Sequence, residues 1–359
     1  VRVALIADRL RTSGGGLERY LGDLRAFLEA QGDEVALIAG APSAIPRGAR
    51  ERAFARRVER VLRQGRFDAS LAVRHVGRAH VYEPHGGSVA AGLAAREEVA
   101  RTPRLARLLH RMVPKFRAFR ILERQALDRS RLVVAVSPLV AKDLRALAPR
   151  APLREVPLGV DLARFSPSGP RADLRARRGL PRTGAALLFV GHDFDLKGLP
   201  AALRVLARLA AQGRSASLAV AGSGSPRAMR GLAGALGVED RVQFLGAVRD
   251  PAPLYRGSDL LLQPTRYDPC SLATLEALAC GLPVVTTSRN GAAEGHPRGF
   301  RRVEDPDDEG AIAREALALL EEGASAREAA RASVEGRDAA RRSAEMRGIL
   351  REVAGPLER

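Results

Sequence analysis

Short apolar, β-branched runs alternate with helix-period stretches along the whole chain. Val3 to Ala7 opens the series, a Gly14-Gly15-Gly16 turn follows, and an amphipathic stretch from about Leu17 to Ala30 stops at Gly32 before Val35 to Ala39. Further runs at Ala69 to Val73, Ala79 to Tyr82, Leu132 to Val136 and Leu153 to Val156 are separated by helical patterns. Continuous apolar runs mark strands covered on both faces, and their alternation with helices predicts an α/β chain with parallel sheets. Near Phe165 to Arg171 the residues FSPSGPR break the rhythm and predict a linker. A second series follows: Ala186 to Val190, Ser217 to Gly222, Arg241 to Gly246, Asp259 to Pro264 and Leu282 to Thr287. Two doubly wound units, 1–165 and 166–339, are therefore expected, with ligand loops at strand carboxyl ends and a central cleft between the domains. The charged tail after Ala311 keeps apolar positions at helical spacing and predicts packed helices.

A length of 359 residues fits two hydrophobic cores better than one. No stretch of 18 apolar residues occurs and the chain opens on strand-like VRVALIA, so neither a membrane-spanning helix nor a secretory signal is expected, and a cytoplasmic location is. Cys270 and Cys280 flank one helix without the clustered spacing of a metal site, in keeping with a reducing compartment. The net charge is +18, carried by 56 arginines and only three lysines, Lys115, Lys142 and Lys197. An aromatic content of 4% with no groove-reading motif argues against nucleic acid as the partner.

The segment RYDPCSLATLEALACGLPVVTT, Arg266 to Thr287, sets Asp268 in a loop and Glu276 on the helix after it, with a glycine stop and a buried strand beyond. Two carboxylates beside a helix N-terminus, whose N–H groups favour an anion, suit a sugar nucleotide. The segment resembles the E-x7-E signature of retaining glycosyltransferase family 4, with Asp268 in place of the first glutamate. That resemblance implies the GT-B fold, two Rossmann-like domains with a C-terminal helix, about 340–359, crossing back to the first. It gives the first domain to the acceptor and the second to the nucleotide sugar. It assigns the ribose hydroxyls to Glu276, the transferred sugar to Asp268, and the diphosphate to backbone N–H groups near Cys270, Ser271 and Leu272.

FVGHDFDLKG, Phe189 to Gly198, holds a lysine in a chain that otherwise chooses arginine, which makes Lys197 a phosphate-contact candidate. Its G-x-D-F-x-x-K-G run is similar to that of the lipopolysaccharide core glucosyltransferase subgroup, with His192 where most family members have arginine. Gly14, Gly15 and Gly16 open a helix after the first strand, where backbone N–H groups approach a phosphate closely. By resemblance, Gly15 and Gly16 face the donor phosphates, His85 in YEPHGGS meets the transferred sugar, and Arg164 adds a donor-phosphate contact. The implied reaction moves a hexose with retained configuration, glucose from UDP-glucose first and mannose from GDP-mannose second, to a lipopolysaccharide-core or other lipid-linked acceptor. Lysine and arginine would neutralise the diphosphate with no metal required. A glycosidase would need two carboxylates flanking one bond, and no pair argues for it. An epimerase of the same architecture and a basic nucleotide- or nucleic-acid-binding protein without chemistry are the rivals.

Arg96 to Arg131 carries eleven basic residues against four acidic ones. Leu105, Leu108, Leu109, Met112, Phe116 and Phe119 recur at helical spacing beside Arg104, Arg107, Arg111 and Lys115, with Pro114 expected to kink the segment. This pattern predicts peripheral attachment to an anionic membrane surface. An ordinary helix packed on a core is the alternative.

Overall fold

The computed structural model describes residues 1–7, 16–40, 47–65, 67–173, 183–293 and 299–356. They divide into two compact units, Val1–Leu158 with Ala340–Arg359, and Gly159–Ala339. The division falls before the Pro- and Ser-rich stretch at 165–171. That stretch is pinned to the second unit by buried Arg256, which donates to the carbonyls of Arg164, Ser166 and Pro170 at 3.0, 2.8 and 3.4 Å.

The first unit runs β1 (Arg2–Ala7), α1 (Gly16–Ala30), β2 (Glu34–Ala39), α2 (Arg47–Gln64), β3 (Ala69–Ala72), β4 (Val81–Tyr82), α3 (Val89–Glu98), α4 (Pro103–Met112), α5 (Pro114–Arg129), β5 (Leu132–Ala135), α6 (Pro138–Leu147) and β6 (Leu153–Glu155). The six strands are parallel in the order β2-β1-β3-β4-β5-β6, with Leu5 opposite both Leu37 and Leu71. Val3, Leu5 and Leu71 are wholly buried, as strands covered on both faces require.

The second unit runs β7 (Ala185–Val190), α7 (Leu199–Ala211), β8 (Ala216–Ala221), α8 (Pro226–Ala235), β9 (Val242–Gly246), α9 (Ala252–Gly257), β10 (Leu260–Gln263), α10 (Leu272–Ala279), β11 (Val284–Thr287), β12 (Phe300–Val303), α11 (Glu309–Glu322) and α12 (Ala324–Ala332). Its strands are again parallel, in the order β12-β11-β10-β7-β8-β9. The chain winds outward from β7 through β8 to β9, then returns to the other side of β7 with β10. The order therefore reverses between β7 and β10, where doubly wound sheets open a crevice at their carboxyl ends.

Helix α13 (Ala339–Glu352) rejoins the first unit. Met346, Ile349 and Leu350 enter the core formed by Val3, Leu5, Leu21 and Leu24.

Candidate active site

The loops after β7 and β10 meet at the strand-order reversal, and their backbones are tied together. The Leu196 carbonyl accepts from the Thr265 hydroxyl at 3.1 Å and from the Arg266 N–H at 2.9 Å. Gly198 has φ +84° and no side chain could stand there, since an added Cβ would lie 2.0 Å from the Pro264 oxygen. Asp193 folds the intervening residues into a tight turn, its carboxylate accepting from the Leu196 N–H at 3.2 Å and its carbonyl from the Lys197 N–H at 2.9 Å. Gly191 clears the lysine stem, because a Cβ at 191 would come within 3.0 Å of Lys197 Cγ.

Lys197 leaves this turn with its Nζ 2.5 Å from Asp268 Oδ2. The ammonium is about a fifth exposed and the carboxylate about a tenth, a partly desolvated pair in which charge acts more strongly than on an open surface. The backbone at Asp268 is held at both ends: its N–H donates to the Arg289 carbonyl and its carbonyl accepts from the Gly291 N–H, each at 2.9 Å.

Behind the pair lies a buried polar network that fixes the start of α10. Gln263 Oε1 accepts from the hydroxyls of Ser271 at 3.0 Å and Thr274 at 2.9 Å. Asn290 Nδ2 donates to Thr274 Oγ1 at 2.9 Å and Thr286 Oγ1 at 3.1 Å, and its Oδ1 accepts from the Ser271 and Ala292 N–H groups at 3.3 and 3.0 Å. Such a fully buried network specifies one arrangement because each unpaired member would be costly. Ser271 is the N-cap, its hydroxyl accepting from the Thr274 N–H at 3.3 Å. The Ser271 N–H, expected to face a diphosphate, is thus taken by Asn290. Leu272 and Ala273 begin the helix and supply the N–H groups that have no acceptor within it. Glu276 sits one turn on, buried, with Tyr255 donating to its Oε2 at 2.9 Å.

The other expected residues fall in different settings. His192 is exposed, its Nδ1 accepting from the Ser223 N–H at 3.2 Å and lying 2.9 Å from the Ser223 hydroxyl. Cys270 is buried just before the N-cap, and burial pushes the Cys280 thiol beyond the helix up to about 12, so Cys280 is no ready nucleophile. Arg164 pairs with Asp250 at 3.3 Å on the surface, rather than with a member of the Lys197 pair. Gly14 and Gly15 lie outside the described residues; Gly16 is the first residue of α1.

In the first unit His85 follows β4 and belongs to a cluster the sequence did not announce. Its Nε2 meets Glu83, its ring stacks on Tyr20 at 4.4 Å, and Arg342 from α13 donates to Glu83 Oε2 at 3.0 Å while lying over the Tyr20 ring. Burial pushes the Glu83 carboxyl up, but Arg342 and His85 overcome it and hold the group below the ordinary carboxylate range. Only the spacing of Glu83 to His85 in YEPH hinted at this arrangement, since Arg342 is 259 positions away.

Glu123 in α5 is structural: its carboxylate accepts from the Val89 N–H at 2.8 Å and anchors the start of α3. None of the residues of α4 is buried, and Leu105, Leu108, Leu109 and Met112 are 48 to 66% exposed, which overturns the core-packed alternative for that helix. No helix among the described residues is long and apolar enough to cross a membrane.

Two families match successive parts of the chain: "Glycosyltransferase Family 4" over residues 14–164 and "Glycosyl transferases group 1" over 184–322. A D-inositol 3-phosphate glycosyltransferase of Corynebacterium jeikeium is 35% identical over 187 residues, 48% of this chain and 44% of the relative. The lipopolysaccharide glucosyltransferase WaaG of Escherichia coli K12 is 37% identical over 120 residues, 33% of this chain and 32% of that protein. The chain thus matches less than half the length of these curated relatives. In structure, WaaG superposes with a TM-score of 0.81 at 22% identity, covering 97% of this chain and 99% of WaaG. Anabaena HepE in complex with UDP-glucose superposes with a TM-score of 0.70 at 18% identity, covering 98% and 99%. These similarities show that the fold is GT-B.

Proposed function

Since this chain belongs to glycosyltransferase family 4, we propose that it transfers a hexose with retained configuration, glucose from UDP-glucose, to a lipopolysaccharide-core or other lipid-linked glycan. The observation that carries this reading is the Lys197–Asp268 pair at the strand-order reversal, beside the start of α10. The WaaG similarity supports the acceptor class, and the HepE similarity supports a uridine diphosphate donor.

In the reaction the bond from the anomeric carbon to the diphosphate oxygen breaks, and an acceptor oxygen bonds to the same face. The acceptor proton passes to the departing phosphate. Negative charge grows on the diphosphate, so preorganised positive groups are the chain's main contribution, each worth roughly 100- to 1000-fold in rate. Asp268 aims the Lys197 ammonium, which keeps further N–H donors for phosphate oxygens. Leu272 and Ala273 add backbone donors with the helix dipole behind them. Glu276, held by Tyr255, is the group assigned to the ribose hydroxyls. In this reading the ammonium and helix terminus, not a metal, neutralise the leaving group.

Helix α4 supports attachment to an anionic membrane surface, because Leu108 and Met112 are exposed beside Arg104, Arg107 and Arg111. The deciding experiment is a thermal-shift panel of UDP-, GDP- and ADP-sugars, followed by transfer assays of Lys197→Ala and Glu276→Ala. UDP-glucose should stabilise the wild type, and both variants should lose transfer. Absence of stabilisation by every nucleotide sugar, or full turnover in both variants, would overturn the proposal.

A further inference from the structure

Helices α2 and α5 and the loop before β4 line an open pocket of about 200 Å³ in the first unit. Four guanidinium groups line it: Arg52 and Arg56 one turn apart on α2, Arg78 from the loop, and Arg129 at the end of α5. None of the four is paired with a described residue, although the same helices pair Arg63 with Glu59 and Arg124 with Asp128. Glu59 is the cavity's carboxylate, and it is already engaged by Arg63 at 2.7 Å. The Nε of Arg78 is buried with no hydrogen-bond acceptor among the described residues. A buried donor without a partner is a standing cost that an anionic oxygen would remove.

The floor of the cavity is apolar, made by Val76, Ala118 and Leu122, all buried, with Ile121 half exposed at the rim. Guanidinium forks match phosphate and carboxylate oxygens, and four arginines unpaired by any described residue, three exposed and Arg78 half-buried, favour a doubly charged anion over a single carboxylate. The volume is below the roughly 300–1,000 Å³ of sites that enclose drug-sized ligands. It accommodates a phosphate and a few carbon atoms, not a nucleotide sugar. We propose that this pocket binds a phosphomonoester carried on a short apolar stem, the chemistry shared by a phosphatidic-acid headgroup and a free phosphorylated amphiphile.

Calorimetry on the full chain tests this with dihexanoyl phosphatidic acid below its micelle concentration, inorganic phosphate, and dihexanoyl phosphatidylcholine. The short phosphatidic acid should bind at least about tenfold more tightly than inorganic phosphate, and the choline lipid should not bind. Arg56→Gln with Arg129→Gln alters two exposed side chains and should weaken that binding by about tenfold or more. The charge-matched pair Arg60→Gln with Arg227→Gln, both exposed and outside the cavity, should leave it within about twofold. Sedimentation with vesicles containing phosphatidic acid separates the sources. Release of the pocket variant but not the control identifies a bilayer lipid, and equal retention with lost monomer binding identifies a free ligand; both outcomes sustain the site. No binding of the short phosphatidic acid, equal affinity for inorganic phosphate, or an equal loss in the control pair would overturn it.

Discussion

Replacing Arg342 with methionine probes the buried cluster that joins α13 to the first unit. The guanidinium is about 5% exposed, donates to Glu83 Oε2 at 3.0 Å and to the Pro157 carbonyl at 3.1 Å, and lies 4.7 Å from the Tyr20 ring centre. Methionine fills similar volume but leaves the fully buried Glu83 carboxylate with His85 and the Tyr20 hydroxyl as its partners. Removing one member of a buried ion pair typically costs about 3–5 kcal/mol. His85 keeps part of the compensation, which places the expected loss near the lower end, about 3 kcal/mol. Changing Glu83 to glutamine in the same chain removes the stranded charge, so the double variant should be more stable than Arg342→Met alone. Urea unfolding followed by circular dichroism reads both effects, the midpoint moving while the slope holds. The sign with pH follows from the depressed Glu83 carboxyl: its contribution is present above the ordinary carboxylate range and is lost as pH falls through the lowered value. Arg342→Met should flatten that acid dependence. A single variant losing less than about 1 kcal/mol, or a double variant losing the sum of the two singles, would refute the reasoning.

Gly198→Ala forces a Cβ against the Pro264 carbonyl at a positive φ, so it should cost at least about 2 kcal/mol and shrink the thermal shift produced by the nucleotide sugar. Glu123 responds to pH in the opposite sense from Glu83. Burial raises its carboxyl from 4.5 to about 7, so ionising it lowers stability as pH climbs through that window. Glu123→Gln should therefore match the wild type below pH 4 and gain about 3 kcal/mol above pH 7, measured as melting temperature at the two extremes. Leu108→Ser with Met112→Ser removes two half-exposed apolar side chains worth about 1 kcal/mol each at an interface, and binding to anionic vesicles should fall about 30-fold.

Strands covered on both faces announce themselves, and so ALLFV and LPVVTT were legible as β7 and β11 from composition alone. β12 was missed because FRRV carries two arginines between its buried ends, as an edge strand can. The Lys197 and Asp268 loops were visible as motifs, and the sheet order explains why they meet. Their supports were not visible. Tyr255 beneath Glu276 and Asn290 beneath Ser271 carry no local signature, since only the tertiary path brings each to its partner. The segment 165–171 has a linker's composition yet is anchored by Arg256, because prolines and serines fix a path as readily as they release one.

Helix α13 has a consequence for biosynthesis. The core around Val3 and Leu24 is closed by Met346 and Ile349, residues translated only after the entire second unit has been synthesised. At ordinary ribosomal speeds that interval is on the order of ten to forty seconds. Throughout it, the earliest strands stand beside an open apolar wall while the later-made unit, contiguous in sequence, already has all its parts. The nascent polypeptide thus completes its domains in the reverse of the order in which it begins them, leaving the first-made half open the longest.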